Sequence, residues 1–440
     1  MKLKNIRNTV VLLFLLQLGL QTARSQEVWT LEQCVDTALV NNKKLKIDKN
    51  NILISEAKQK EVKSNLYPKL NATFDYKYFF DLPTQLMPAS AFNPMAPEWQ
   101  FNAAQFGVPH NINANVQLGM PLYNAQIYGG IKATKIASEL KTLQFKKTKE
   151  GVYVTISNLY YNAQIIKNQI AFMDTNIKNS NKLLDNLKLL KEQQLATGTD
   201  VNKVDLQVKQ LQTQKNLLVS KYQQIINALK INMGFDAGTM EVISKIDYQK
   251  LPVYSKQKIT DIQMAETKKK LNESEIKTLK RGRLPSVTLY GSYGQTGYGY
   301  DEKPNDFLDF YSVSFVGLKV AVPVFDISRR HKINQKKIES ENTDLQLSLL
   351  GEQNDMEIES AKNQLAITQL TINNTLEQID LAQSVYDNTV LQHKQDTASI
   401  TDVLLADNNL RQAQQNYIAA VIDYLKADLE LKKLTGNIIN

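Results

Sequence analysis

The chain has 440 residues, with 53 Lys and Arg against 44 Asp and Glu and a formal net charge of +9. Four of those cations (Lys2, Lys4, Arg7 and Arg24) precede Gln26, so the rest of the chain stands nearer +5, which at this length does not point to nucleic acid. The single cysteine, Cys34, excludes an internal disulfide, while low Gly and Pro with abundant Gln, Asn, Lys and Leu suit long solvated helices.

The N-terminus carries Lys2, Lys4 and Arg7, an apolar run from Val10 to Leu20, and Ala23-Arg24-Ser25 before Gln26. That is the layout of a cleaved secretory signal over residues 1–25. About 11 apolar residues are too few to span hydrocarbon as an anchor. No other run approaches ~18 apolar residues, so any membrane span must be made of strands. Cys34 follows Leu31-Glu32-Gln33, only loosely like a lipobox. It is expected to be a small buried thiol on a helix face.

Between Pro68 and Pro121 the apolar period is two. Leu70, Ala72, Phe74, Tyr76 and Tyr78 alternate with polar residues, as do Ile112, Ala114, Val116, Leu118, Met120 and Leu122. The pattern returns between Pro285 and Pro323, weakly at Val287, Leu289, Gly291 and Tyr293, then at Val316, Leu318, Val320 and Val322. Tyr311, Val313 and Phe315 are out of phase with that last run, which predicts a bulge or an inward-facing aromatic patch. Strands of about ten residues with one apolar face match those of outer-membrane barrels. Aromatics at Tyr76, Phe79, Phe80, Tyr293, Phe310 and Tyr311 gather where an interfacial girdle would lie. Four strands cannot close a barrel alone, and lipid does not tolerate an open edge, so such a chain would have to oligomerise.

After each strand pair comes a long helix, predicted over about Ile131–Ala196 and Lys332–Ala398. Roughly 66 residues of helix span about 100 Å. The return helices hold a 3.5-residue register: Val201, Val204, Val208, Leu211, Leu218, Tyr222, Ile225 and Leu229, broken only by Lys215, and Val403, Ala406, Leu410, Ala413, Tyr417, Ala420, Tyr424, Ala427 and Leu431. That period is a coiled-coil seam. Gly234 and Gly436 supply left-handed stops. Ile259–Leu279 and Leu31–Leu66 are the candidates to complete the return paths, with an irregular segment from Phe235 to Ser255.

These elements form two copies. Met120-Pro121-Leu122-Tyr123-Asn124, Thr199-Asp200-Val201 and Gly234 recur as Val322-Pro323-Val324-Phe325-Asp326, Thr401-Asp402-Val403 and Gly436, all 202 residues on. Tyr67-Pro68-Lys69-Leu70 and Leu284-Pro285-Ser286-Val287 lie 217 apart, so 15 extra residues fall between Pro68 and Pro121. A fixed length shared by two copies is what a duplicated strand–helix unit needs. The organisation read from this is a first repeat over 26–234 (strands about 69–79 and 111–122, hairpin about 126–234), a linker over 235–255, and a second repeat over 256–440 (strands about 286–294 and 311–323, hairpin about 327–436).

Together with the opening Trp29-Thr30-Leu31-Glu32-Gln33-Cys34-Val35-Asp36-Thr37-Ala38-Leu39-Val40-Asn41-Asn42, the turns at Pro68 and Pro285 and the two Thr-Asp-Val tips, the chain resembles the TolC family of outer-membrane efflux and secretion channels. The resemblance implies a mainly α fold with a membrane β-barrel part. It implies a homotrimer with a 12-stranded barrel, four strands per subunit, and an α-helical tunnel through the periplasm. It also implies a periplasmic adaptor and an inner-membrane pump as partners, outer-membrane lipid around the barrel, a Gram-negative source, and no cofactor. Pro68, Pro121, Pro285 and Pro323 would mark the helix–barrel junctions, and the tips at Asp402, Asp200, Thr199, Thr401 and His393 the pore constriction. Thr199 and Thr401 read as helix N-caps with Asp200 and Asp402 in the first turn. Asp402 matches one member of a family D-x-x-D pair, but Leu405 holds the other place. Ala398 and His393 stand where the family often has Arg and Tyr, so the resemblance does not carry the family's salt-bridge lock over to this tip.

No enzyme constellation competes. His110, His331 and His393 are scattered and no Cys joins them, against a metal site, and no phosphate or nucleophile motif is present. The alternative from another class is a periplasmic coiled-coil adaptor or structural protein, which would not need four alternating strands. A diffusion porin would be nearly all strand.

Overall fold

The computed structural model describes residues 27–97, 99–235, 240–243, 246, 252–300, 309–395 and 397–438. The predicted signal over 1–25 lies outside the described residues. The chain forms two compact units, one from residues up to Asn51, Lys141–Glu266 and Gln346 onward, the other from Ile52–Leu140 and Thr267–Leu345.

The first unit is helical. A short strand β1 (Glu27–Trp29) leads to α1 (Leu31–Asn41), which starts on a capping box: Thr30 Oγ1 accepts from the Gln33 amide, and Gln33 returns a bond to the Thr30 amide. Asn42 interrupts the helix and α2 (Lys43–Ser64) follows. Its side-chain oxygen accepts from the Lys44 amide at 2.8 Å, and its Nδ2 donates to the Asn232 carbonyl at 2.6 Å. The long helix α3 (Ala125–Glu192) turns into α4 (Gly198–Met233), and α6 (Ile327–Lys394) turns into α7 (Ile400–Leu434). Both outgoing helices have 68 residues and begin five or six residues earlier than their periodicity suggested. The second copy begins with α5 (Thr260–Arg281), which, like α2, α3 and α6, contributes residues to both units.

The expected irregular segment is partly ordered. β6 (Met240–Val242) pairs in parallel with β1, Val28 opposite Glu241. A three-residue strand carries too little period to be read from sequence. This pair closes one end of a core in which Cys34, Val35 and Ala38 of α1 meet Ile156, Tyr160 and Ala163 of α3, and Tyr222, Leu229 and Met233 of α4. The Tyr160 hydroxyl donates to the Trp29 carbonyl at 2.9 Å. Cys34 is fully buried and its thiol is pushed up to about 12 by that burial, so it is inert at neutral pH. Both return helices stop at a left-handed glycine, Gly234 at φ 67° and Gly436 at φ 75°. At Gly234 there is also no room: a Cβ would lie 2.5 Å from the Asn41 carbonyl oxygen.

The second unit carries the sheet. β2 (Lys69–Tyr78), β5 (His110–Tyr123), β7 (Ser286–Gly299) and β8 (Asp309–Ala321) form one antiparallel sheet in that order, and β3 (Thr84–Pro88) and β4 (Phe101–Gln105) form a separate hairpin within the β2–β5 connection. The register puts Phe74 opposite Ala114, Val116 opposite Tyr293, and Gly291 opposite Val316, so one face is mainly apolar, interrupted by Gln295, Ser312 and Ser314. Asn71, Asn115, Gln117 and Ser292 share the other. The β7–β8 register is continuous, so there is no bulge at Tyr311–Phe315. Those three residues fall instead on the polar face as an aromatic patch, with Phe315 edge-on to Tyr290 at 5.9 Å and Tyr311 6.0 Å from Tyr298. The register shift lies between Pro121 and Tyr123. Pro121 has no N–H for the ladder, and a bulge is where a strand accommodates that. Pro68 and Pro285 precede β2 and β7, and Pro323 follows β8. α5 crosses α3 closely in this unit, since a Cβ on Gly129 would fall 2.2 Å from Thr278.

Gly234→Ala is expected to lower the circular-dichroism melting midpoint, costing about 1–3 kcal/mol for left-handed strain alone. Gly351→Ala, in a helix with nothing within 4 Å of the new Cβ, is expected to leave the midpoint unchanged or raise it, stabilising by up to about 1 kcal/mol.

Candidate functional site

The ends of α3 and α6 and the starts of α4 and α7 share one apolar core. Leu184 and Leu187 of α3, Val201, Val204 and Val208 of α4, Tyr386 of α6, and Ile400, Val403, Ala406 and Leu410 of α7 are buried together. The return-helix seams therefore pack at the tips as their 3.5 period required. Across the core rim, Lys203 Nζ donates to Thr401 Oγ1 at 3.4 Å.

The caps differ from expectation. Thr197 and Ser399, not Thr199 and Thr401, are the N-caps, and each closes a capping box with the aspartate three residues on. The Asp200 and Asp402 amides donate to the Thr197 and Ser399 hydroxyls at 3.2 Å each. Those hydroxyls donate back to the carboxylates at 2.6 and 2.7 Å. A reciprocal box needs hydroxyl and carboxylate three apart, a spacing that Thr199 and Thr401 cannot satisfy. Asp402 is exposed, and its carboxyl is held below the usual range by the Ser399 hydroxyl and then the Ser399 amide. His393 serves the turn: its Nδ1 bonds the Ala398 carbonyl at 2.9 Å, so that nitrogen carries the proton, and Nε2 is buried with no partner among the described residues. In the first turn Gln194 takes the left-handed conformation at φ 63° and the Leu195 amide closes back to Leu190. Leu405 is exposed and makes no lock with Asp402.

A buried polar layer lies behind these residues. Gln207 of α4 donates from Nε2 to Asp407 of α7, Arg411 lies 3.3 Å from the same carboxylate, and Asn176 of α3 donates to Gln414 at 3.0 Å. Asp407 is 4% exposed, and burial pushes its carboxyl upward against the opposing pull of Arg411 and Gln207. Sequence reasoning missed this layer, although the signal was present. Asp407, Arg411, Gln414, Ile418, Val421, Leu425 and Asp428 repeat the 3.5 register one residue after the apolar seam. Helix α7 thus carries two adjacent seams, and the members of the second at Asp407 and Gln414 face the first hairpin. Asp205, at the place of Asp407 in the first copy, is instead paired with Lys209 at 2.8 Å on a far more exposed surface.

Among the described residues, no three His, Cys, Asp or Glu are grouped as a metal site would need, and no helix is long and apolar enough to cross a membrane. The tips present carboxylates and pack the hairpins together.

Residues 251–437 match the family described as Outer membrane efflux protein. No curated protein matches the chain by sequence. In fold it is similar to the channel CusC (TM-score 0.75, 12% identity, 94% of this chain and 95% of that one). It is also similar to the outer membrane protein VceC of Vibrio cholerae (0.72, 14%, 92% and 96%) and to the outer membrane channel CmeC of Campylobacter jejuni (0.72, 14%, 93% and 86%). The resemblance to TolC-family channels read from the residues is thus found again in both kinds of comparison.

Because the folded protein binds the Asp407 proton more tightly than the unfolded chain, this group's stabilising contribution is present below the unfolded value and lost as pH rises through the folded one. Asp407→Asn removes that dependence. The melting midpoint of the variant minus that of the native chain is expected to be larger at about pH 7 than at about pH 4; an equal difference at both would contradict it.

Proposed function

We propose that this chain is the outer-membrane exit duct of a tripartite efflux or type I secretion system, working as a homotrimer. The sheet carries the reading. Its outer strands β2 and β8 each have one partner in the sheet, and its apolar face is open, with Phe74 72% and Val316 77% exposed. Hydrocarbon supplies no hydrogen bonds, so backbone edges in lipid must be paired. Three copies joined β8 to β2 would give a closed 12-stranded barrel, apolar outward and polar inward. The TolC-like fold and the family match over the second copy agree with this assignment.

The helical unit supplies the periplasmic part, which an adaptor and an inner-membrane pump would engage to pass small molecules or exported polypeptides. The periplasmic coiled-coil alternative leaves the sheet without a purpose. At the tips, Asp402 is the candidate constriction, with Asp200, Thr199, Thr401 and His393 around it. Its capping role fixes its position in each copy; threefold repetition would make it an acidic ring that concentrates cations. The four prolines at the strand ends, Pro68, Pro121, Pro285 and Pro323, are the candidate junctions between strand and helix. No cofactor or metal enters this function.

Purified protein reconstituted in a planar bilayer is expected to conduct ions with a cation preference, and Asp402→Ala to reduce that preference. Absence of conductance would contradict the channel, whereas unchanged selectivity in the variant would contradict only the acidic ring.

A further inference from the structure

Neither a water path nor the helical tip accounts for one basic pocket in the sheet-bearing unit. Helix α5 ends in Lys280 and Arg281, Arg283 follows in the turn to β7, and α6 opens on Ile327-Ser328-Arg329-Arg330. Lys280, Arg283 and Arg330 line a pocket of about 330 Å³ together with Ile333 and Asn334. Arg329 is paired with Asp326 at 3.2 Å. Among the described residues, Lys280, Arg283 and Arg330 have no carboxylate within ion-pair distance.

Local structure explains only part of this charge. Cations closing α5 complement the negative end of its dipole, which suffices for Lys280 and Arg281. Arg330 stands in the first turn of α6, where positive charge opposes the dipole. The first copy shows that the fold does not require it. At the 202-residue offset, Arg329, Arg330, His331 and Lys332 correspond to Ile127, Tyr128, Gly129 and Gly130, and the helix they open is equally long. The approach to α6 is also apolar and exposed: Val324 is 92% and Phe325 83% exposed. Unpaired guanidinium groups a few residues along the chain from exposed apolar side chains, at the end of a strand with a mainly apolar face, suit a membrane–water boundary.

We propose that Lys280, Arg283 and Arg330 bind the phosphate of an anionic membrane phospholipid, with Val324 and Phe325 against its acyl region. Guanidinium forks match phosphate oxygens in pairs, and the Asn334 amide adds a neutral donor. The inference rests on the membrane reading of the sheet. It adds a headgroup preference located in the second copy.

The test is native mass spectrometry of the full-length protein extracted in detergent, offered phosphatidylglycerol or phosphatidylcholine with the same acyl chains. The native protein is expected to retain phosphatidylglycerol at least roughly fivefold over phosphatidylcholine. Arg283→Ala with Arg330→Ala should abolish the preference, and Arg283→Lys with Arg330→Lys should keep part of it, which separates lost charge from lost folding. Equal retention of the two lipids, or an unchanged preference in the double alanine variant, would overturn the proposal. Displacement of the lipid by millimolar inorganic phosphate would also overturn it, because the site would then serve a soluble anion. A chain recovered only from the soluble fraction, with no lipid of either kind, would sink the channel reading itself.

Discussion

A strand at the edge of a sheet leaves a row of N–H and C=O groups unpaired, and hydrocarbon offers them nothing. That constraint ties the parts of this chain together. Its four-stranded sheet has β2 and β8 outermost and an apolar face exposed to solvent, so a single copy is complete neither in water nor in lipid. Solution by closure requires copies whose sheets have matching strand number and register. The duplicated strand pairs and the shared 202-residue spacing of the anchors that follow them are consistent with that demand. The aromatic patch at Tyr290, Tyr311 and Phe315 is the exception on the polar face. In a closed barrel it would give part of the lumen an apolar wall.

The helical unit solves a different problem. Long helices with little apolar surface gain most of their stability from packing along a seam. Here the seams of α4 and α7 are joined into one core at the tips. A second, partly polar seam on α7 packs the two hairpins against each other through Asp407, Gln207, Arg411, Asn176 and Gln414. Burying Asp407 is costly without such partners, and the cost falls on one copy only, since Asp205 keeps its carboxylate at the surface. Duplication supplied the length; divergence supplied the asymmetry. The basic pocket of Lys280, Arg283 and Arg330 is another case, absent from the corresponding helix start in the first copy.

The strands were legible because one face of each meets a uniform environment, which writes a period of two into Leu70 to Tyr78 and Ile112 to Leu122. The helix seams were legible for the same reason, and so were the glycine stops. Features that depend on which neighbour a side chain meets were not. Thr199 and Thr401 share the Thr-Asp-Val motif and look like caps in sequence, yet the reciprocal geometry selects Thr197 and Ser399. Asp407 could have been found by asking whether a second register ran beside the first. The parallel pairing of β1 with β6 joins segments more than 200 residues apart and only three residues long, below what any period can show. The phase change at Tyr311–Phe315 was visible, but only the continuous β7–β8 register decides that it is a patch and not a bulge.

Under the proposed function, the open sheet edges are satisfied by other copies of the same chain in a membrane. Electron microscopy of the protein extracted in detergent from the outer-membrane fraction tests it most directly. Hollow particles with threefold symmetry are expected. Monomeric particles, found in the soluble fraction and absent from the membrane, would contradict it.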